Sequence, residues 1–204
     1  PDFIVGSQDS LAVHIWNVPD PSFNRSFIVP VERDGMIVIP QVGAIPVGGQ
    51  TFSQVEQTVR SRLSNLLKRF ELHVSMARIR TIKVYVVGEV VRPGAYEISA
   101  LATTSNALYA ACGPARSGSL RQVKVMREGK TIAELDLYDF LLRGDRRFDQ
   151  RLQSGDVVLV PPLGPVVAVS GSIKRPAIYE VKPGVRLTEL LTLAGGLTPL
   201  SDRQ

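Results

Sequence analysis

The sequence contains one cysteine, two histidines and no long apolar run within its 204 residues. A single cysteine excludes an internal disulfide framework. The longest apolar runs, around 84–87 and 166–169, have the length of strands and fall short of the roughly 18 to 20 residues that a membrane helix requires. The histidines, His14 and His73, lie 59 positions apart and match no metal-ligand motif. We therefore expect no disulfide-stabilised fold, no membrane-spanning helix and no metal site.

Groupings that could support catalysis are also scarce. Asp136 and Asp139 stand at the start of a predicted short helix, where carboxylates favour the positive end of the helix dipole, so we interpret them as capping residues. The glycine pairs at 48–49 and 195–196 lack the spacing of a dinucleotide or phosphate loop. We predict that the protein is not an enzyme, with no catalytic residues, no cofactor and no metal.

The charge balance is basic, with 24 Lys and Arg against 19 Asp and Glu. Such a balance is compatible with an acidic partner. The densest basic run alternates with Asp145 and Asp149 and lacks the interleaved aromatic residues that single-strand binders use for stacking, so we expect no nucleic-acid partner. We interpret the run as a solvated turn, with contact to a glycan or to a protein interface as the alternative. Its arginines are Arg143, Arg146, Arg147 and Arg151.

A duplication dominates the second half of the chain, because residues 84–115 recur without a gap at 167–198, 83 positions later. Ten of the thirty-two aligned positions are identical, where roughly two are expected for unrelated stretches of ordinary composition. This spacing exceeds the period of a solenoid unit and indicates tandem domains. Cys112 occupies the position of Gly195, and we predict that it is a small buried residue at a helix end.

Residues 1–81 resemble neither copy and form a predicted domain of their own. Leu11, Val13 and Ile15 alternate with Ala12, His14 and Trp16, a pattern typical of a strand. The Asp34–Gly35 pair lies between the apolar runs 27–31 and 36–39 and predicts a hairpin. Thr51 and Gln54 form a capping-box pattern, and apolar residues at spacings of three and four predict a helix of about five turns. Those residues are Phe52, Val55, Val59, Leu63, Leu66 or Leu67 and Phe70.

Each copy of the repeat reads as strand, Arg-Pro turn, strand and short helix. The first copy adds a hairpin at 123–135, a short helix at 136–142 and a late strand at 157–160, which together indicate a β-grasp arrangement. We therefore predict an α+β fold, with a small mixed-sheet domain at 1–81 followed by tandem β-grasp modules at 82–164 and 165–204. The second module lacks a counterpart of roughly forty residues of the first, so we expect it to be truncated or completed by a strand from another chain.

Three groups of residues resemble one known family, the outer-membrane polysaccharide export proteins. The groups are G-S-Q-D-S-L-A-V-H-I-W at 6–16, D-G-M-I-V-I-P-Q-V-G at 34–43, and the two Arg-Pro modules with Tyr96 and Tyr179. In that family an N-terminal export domain precedes soluble-ligand-binding β-grasp (SLBB) domains, which is the order found here. The resemblance marks these positions as structural signatures: Asp9, Trp16, Asp34, Gly35, Pro40, Gly43, Gly88, Arg92, Pro93, Gly94, Tyr96, Gly113, Gly155, Asp156, Gly171, Arg175, Pro176, Tyr179, Gly195 and Gly196.

The resemblance implies transport rather than catalysis. It implies a periplasmic, outer-membrane-associated ring of identical subunits that passes capsular polysaccharide or exopolysaccharide and docks an inner-membrane polysaccharide co-polymerase. The alternative is a β-grasp module that binds a discrete soluble ligand or serves as an adaptor.

Overall fold

The computed structural model describes residues 3–199 and divides the chain into two compact units. The first unit extends to Thr81 and includes Ser99–Leu101, and the second comprises Ile82–Ile98 and the residues from Ala102 onward. Among the described residues no helix is both long and apolar enough to cross a membrane. The elements of the first unit are β1 (Ser10–Trp16), β2 (Arg25–Pro30), β3 (Met36–Ile39), β4 (Gly43–Pro46), α1 (Phe52–Ser64) and β5 (Glu71–Arg78).

A three-stranded antiparallel sheet forms the framework of the first unit, with β1 between β2 and β5. The alternation predicted for β1 is confirmed, because Leu11, Val13 and Ile15 are buried on one face. That face shares a core with α1, whose Val55, Val59 and Leu63 are buried. The other face of β1 carries the alternate residues, since successive side chains of a strand point to opposite sides.

The predicted hairpin around Asp34–Gly35 is only half correct. The chain does turn there, with the Gly35 N–H donating to the Glu32 carbonyl at 3.0 Å and the Met36 N–H donating to the Asp34 carboxylate at 3.0 Å. The flanking strands nevertheless do not pair with each other, because β2 pairs with β1 whereas β3 pairs with β4. The Asp34–Gly35 pair therefore predicts a turn of the chain but does not predict which strands pair.

The capping box at the start of α1 is confirmed, with Thr51 and Gln54 exchanging side-chain-to-backbone hydrogen bonds. The predicted length of five turns is wrong, since the helix ends at Ser64 after 13 residues. The N–H groups of Leu66 and Leu67 both donate to the Leu63 carbonyl, which turns the chain toward β5. The apolar periodicity continued past the helix because Leu67 and Phe70 still pack against the same core.

The second unit holds both copies of the repeat. Its elements are β6 (Thr81–Gly88), β7 (Gly94–Ser99), α2 (Thr104–Ala110), β8 (Val123–Arg127), β9 (Lys130–Leu135), α3 (Leu137–Arg143), β10 (Val157–Val160), β11 (Val166–Val169), β12 (Ala177–Glu180) and α4 (Leu187–Leu193). The first copy forms a five-stranded mixed sheet in the order β7-β6-β10-β8-β9, with β10 parallel to β6. The α+β class and the β-grasp-like arrangement predicted from the sequence are therefore confirmed.

The duplication is also visible in the backbone hydrogen bonds, which recur with the same offset of 83 residues. The N–H of Gly113 donates to the carbonyl of Leu108 at 2.8 Å, and that of Gly196 donates to the carbonyl of Leu191 at 2.8 Å. The Arg-Pro turns contact the helix ends in the same way. The N–H of Arg92 donates to the carbonyl of Ala111, and the N–H of Arg175 donates to the carbonyl of Ala194. The two copies therefore share one local fold.

Cys112 is exposed, so the prediction of a buried thiol is wrong. The residue lies past the end of α2 in the left-handed conformation, with φ of 62°. Its counterpart Gly195 has φ of 81°. At this position the backbone reverses direction after the helix, which requires a left-handed conformation. The side chain points away from the core and need not be buried.

We expect the substitution Cys112→Gly to stabilise the second unit by about 1 kcal/mol. A non-glycine residue in the left-handed conformation carries about 1–3 kcal/mol of backbone strain, which glycine relieves. The greater conformational entropy of glycine in the unfolded chain offsets part of this gain. Urea unfolding monitored by circular dichroism measures the change. The matched variant Gly195→Ala, at the equivalent position of the second copy, is expected to destabilise the unit. A loss of stability in Cys112→Gly would contradict this account of the helix end.

Candidate functional site

Two signature aspartates occupy equivalent local structures in the two units. Asp9 directly precedes β1 and Asp156 directly precedes β10, and both are fully buried. Each carboxylate accepts a hydrogen bond from the backbone N–H three residues earlier, at Gly6 (2.8 Å) and at Gln153 (2.7 Å). Each therefore closes the turn that leads into a strand.

Both aspartates also bind an arginine. Arg80 donates to Asp9 through its backbone N–H at 2.8 Å and through its guanidinium at 2.5 Å. Arg127 donates to both carboxylate oxygens of Asp156 at 2.8 Å, and this hydrogen bond raises the pKa of Arg127. These residues hold strands in place, which is a structural role.

The Arg-Pro signatures lie in the turn between the first two strands of each copy. The Tyr96 hydroxyl donates to the Arg92 carbonyl and the Tyr179 hydroxyl donates to the Arg175 carbonyl, both at 2.6 Å. Each tyrosine thus closes the turn that precedes it. Pro93 and Pro176 lie in these turns, and Gly94 begins the strand that follows. Asp34, Gly35 and Pro40 lie in the turns on either side of β3, and Gly43 begins β4.

Several signature glycines have positive φ, and Gly88 shows why at the end of β6. Its φ is 86°, and a Cβ atom built there would lie 2.1 Å from the carbonyl oxygen of Val160. Only glycine allows β6 and β10 to approach so closely. The other signature glycines with positive φ are Gly35, Gly43, Gly113, Gly155, Gly171, Gly195 and Gly196.

A buried carboxylate joins the two copies of the repeat. Glu180 at the end of β12 is 3% exposed, and its oxygens accept three hydrogen bonds from the first copy. The donors are the Ser119 hydroxyl at 2.7 Å, the Leu120 N–H at 2.7 Å and the Gly164 N–H at 2.9 Å. The two copies are therefore tied together by a fully hydrogen-bonded charge rather than by a flexible linker.

A second group of charges surrounds this contact. Asp136 of the first copy binds Arg121 at 3.0 Å and Lys182 of the second copy at 2.9 Å. Burial alone would raise the pKa of Asp136, but hydrogen bonds from Lys182 and Arg121 outweigh it, and the pKa lies below its ordinary value of 3.8. Because the pKa of Asp136 is depressed in the folded state, its ionised carboxylate stabilises the fold above pH 3.8. This stabilisation is lost as the pH falls through the lower pKa of the folded state.

Aromatic packing completes the contact between the copies. The rings of Tyr138 and Tyr179 meet edge to face at 6.2 Å, and the Arg121 guanidinium lies over the Tyr138 ring. The Glu180 N–H donates to the Tyr138 hydroxyl at 2.9 Å. Asp136 also caps α3, as the sequence predicted, by accepting from the Tyr138 N–H. Its ion pairs with Arg121 and Lys182 were not predicted, because nothing in the spacing of these residues indicates them.

The basic run begins with Arg143, the last residue of α3, and continues along the exposed segment after it. Arg143 pairs with Asp139 at 2.9 Å and Arg147 with Asp145 at 2.6 Å, and the hydrogen bond from Arg147 lowers the pKa of Asp145 to about 2. Arg146 lies 3.8 Å from Asp149, and Arg151 forms a backbone bridge with Thr103. Since Arg143, Arg146 and Arg147 already face carboxylates, the arrangement favours a solvated turn.

Asp149 in this turn has a role that the sequence did not reveal. Its carboxylate accepts from the Thr103 hydroxyl at 3.0 Å and from the N–H and hydroxyl of Ser105 at 2.9 Å each. Asp149 therefore fixes the turn to the start of α2.

Two shallow clefts follow the polar side of α1 and have volumes of about 440 and 550 Å³. They share Thr58 and Ser61, and Gln54, Gln57 and Arg62 contribute further polar groups. Amides and hydroxyls of this kind can exchange hydrogen bonds with water or with sugar hydroxyls. The clefts are open and do not enclose a small molecule as a typical ligand pocket does.

Among residues 3–199 no group of three or more His, Cys, Asp or Glu side chains is arranged to hold a metal ion. The two histidines, which the sequence separates by 59 positions, are nevertheless neighbours on the sheet, with ring centroids 6.2 Å apart.

Comparison with known proteins accounts for nearly the whole chain. A model of the polysaccharide biosynthesis/export protein family matches residues 1–77, and two SLBB domain models match residues 82–160 and 166–204.

Two curated relatives align with nearly the whole of this chain. The polysialic acid transport protein KpsD of Escherichia coli is 30% identical over 198 residues, which cover 95% of this chain and 34% of the relative. The EPS I polysaccharide export outer membrane protein EpsA of Ralstonia solanacearum is 28% identical over 221 residues, which cover 97% of this chain and 58% of the relative. The chain thus spans about a third of KpsD and somewhat more than half of EpsA. Its residues thus match a polysaccharide biosynthesis/export domain followed by two SLBB domains.

Proposed function

We propose that the protein exports capsular polysaccharide or exopolysaccharide through the outer membrane, as the periplasmic part of a conduit and without catalysing a reaction. The observation that carries this proposal is that three domain matches in this order cover nearly the whole chain, which also aligns over almost all its length with relatives named for polysaccharide transport and export.

The physical demands of the task support a ring of identical subunits. A long hydrated polymer needs a wide polar passage without a tight binding site, and closed symmetry builds such a passage from copies of one small protein. The contact around Glu180 suits this role because it holds the two SLBB domains as one body, as a wall element requires. The open polar clefts along α1 are likewise compatible with a passing polymer.

Several finer assignments belong to the same proposal. We place the domain limits at 1–81, 82–164 and 165–204, and the protein in the periplasm in association with the outer membrane. Its partners are the polysaccharide, further copies of itself and an inner-membrane polysaccharide co-polymerase. Contact of glycan with Arg143, Arg146, Arg147 or Arg151 stays a prediction. The structural roles of the signature residues from Asp9 to Gly196 are predictions as well.

The ring is tested by the mass of the protein in solution. Light scattering over a concentration series, on this chain and on a longer version that continues beyond Gln204, is expected to show a closed oligomer of fixed size in at least one of them. Monomers in both at every concentration would contradict the ring. Saturable binding of one small molecule in calorimetry would instead favour the ligand-binding alternative.

A further inference from the structure

The chain has two histidines, and both lie on the outward face of the sheet in the first unit. His14 on β1 is the direct partner of His73 on β5 in the antiparallel register. Leu11, Val13 and Ile15 of β1 are buried on the opposite face, so His14 projects away from the core. The two rings are 6.2 Å apart between centroids, with an angle of 27° between their planes.

This separation matches what one metal ion requires of two imidazole ligands. Metal–nitrogen distances near 2.1 Å place the centre of each ring about 3.2 Å from the ion. Two ligand rings then have centroids about 5.2 Å apart at a tetrahedral angle and about 6.4 Å apart at the widest angle. The observed 6.2 Å lies at the wide end of that range, so the two side chains must rotate out of their nearly parallel arrangement to direct one nitrogen each at the same ion.

A third side chain on the same sheet orients one of the rings. The Nδ1 atom of His14 is 2.7 Å from the hydroxyl oxygen of Ser26 on β2. When Nδ1 donates its hydrogen to that oxygen, Nε2 carries the lone pair that a metal needs. Metal-binding histidines commonly have such a partner on the second nitrogen, which fixes both tautomer and ring orientation.

We propose that His14 and His73 together bind one divalent transition-metal ion of the group that prefers imidazole, namely Zn²⁺, Ni²⁺ or Cu²⁺. Ser26 positions His14, and water molecules complete the coordination shell on the solvent side. The bound ion would cross-link β1 to β5 and place a positive charge on this face of the sheet.

The single tryptophan of the chain provides a reporter for this site. Trp16 is 47% exposed and follows His14 by two residues on the same face of β1, about 7 Å along the strand. Bound Cu²⁺ or Ni²⁺ at the histidine pair is therefore close enough to quench its fluorescence.

The experiment uses the full chain with any affinity tag removed and with Cys112→Ser, because the exposed thiol is itself a metal ligand. CuCl₂ and NiCl₂ are titrated while Trp16 fluorescence is recorded, and ZnCl₂ binding is measured by calorimetry. We expect saturable binding of one ion per chain that EDTA reverses. MgCl₂ and CaCl₂ serve as controls and are expected to have no effect, because these ions prefer oxygen ligands.

The variants separate the proposed site from unspecific binding. We expect His14→Ala and His73→Ala each to abolish the saturable signal, and Ser26→Ala to weaken binding by about tenfold through loss of ring orientation. Circular dichroism confirms that each variant is folded. The proposal is overturned when the unsubstituted histidine pair gives no saturable signal, or when the double variant His14→Ala/His73→Ala binds as tightly.

Discussion

Replacing Glu180 by alanine is expected to lower the free energy of unfolding of the second unit by about 3–5 kcal/mol, because three hydrogen-bond donors lose their common acceptor. The substitution leaves the hydroxyl of Ser119 and the N–H groups of Leu120 and Gly164 without their acceptor. Each buried donor left unsatisfied costs about 1–3 kcal/mol. The loss should concentrate at the contact between the two SLBB domains.

The repeat supplies a matched control for this experiment. Glu97 is the counterpart of Glu180 in the first copy, on a strand of the same kind, but it is exposed. We expect Glu97→Ala to change the stability little. Hydrogen exchange followed by mass spectrometry distinguishes the two variants, with faster exchange around 117–122 and 161–165 expected only in Glu180→Ala. Equal exchange in the two variants would contradict the role assigned to Glu180.

Replacing Asp9 by alanine is the second change with a large expected effect, again about 3–5 kcal/mol, on the first unit. The buried carboxylate accepts from the Gly6 N–H, the Arg80 N–H and the Arg80 guanidinium. Its removal opens the turn before β1 and leaves a partly buried arginine without its partner. Since Trp16 lies on β1, urea unfolding followed by its fluorescence reports directly on this sheet.

The control is Asp145→Ala, which removes a partly exposed carboxylate paired with the exposed Arg147. Exposed ion pairs contribute little because water and salt screen them. The interpretation fails if Asp9→Ala unfolds at the same urea concentration as the unsubstituted chain, or if Asp145→Ala is equally damaging.

Local features of this fold were readable from the sequence because local physics determines them. The alternation in β1, the capping box at Thr51 and the Arg-Pro turns depend on neighbouring residues alone, and the structure confirms them. The identities between copies also predicted the shared backbone pattern, since residues such as Gly113 and Gly196 perform the same task at a helix end.

Features that depend on distant residues could not be predicted in the same way. Glu97 and Glu180 are identical in type and position within the repeat, yet one is exposed and the other is buried against the preceding copy. The Asp34–Gly35 signal likewise did not reveal that β2 and β3 choose different partners. The meeting of His14 and His73 follows from the pairing of β1 with β5, which their spacing in the chain does not indicate.

The central claim is polysaccharide export, and its most direct measurement is made in cells. The gene is deleted from its native strain, and the polysaccharide outside the cell and the polysaccharide retained in the periplasm are each quantified. We expect the deletion to abolish the external polymer and the restored gene to bring it back, with synthesis of the polymer itself intact. Normal amounts of external polysaccharide in the deletion strain would contradict the account.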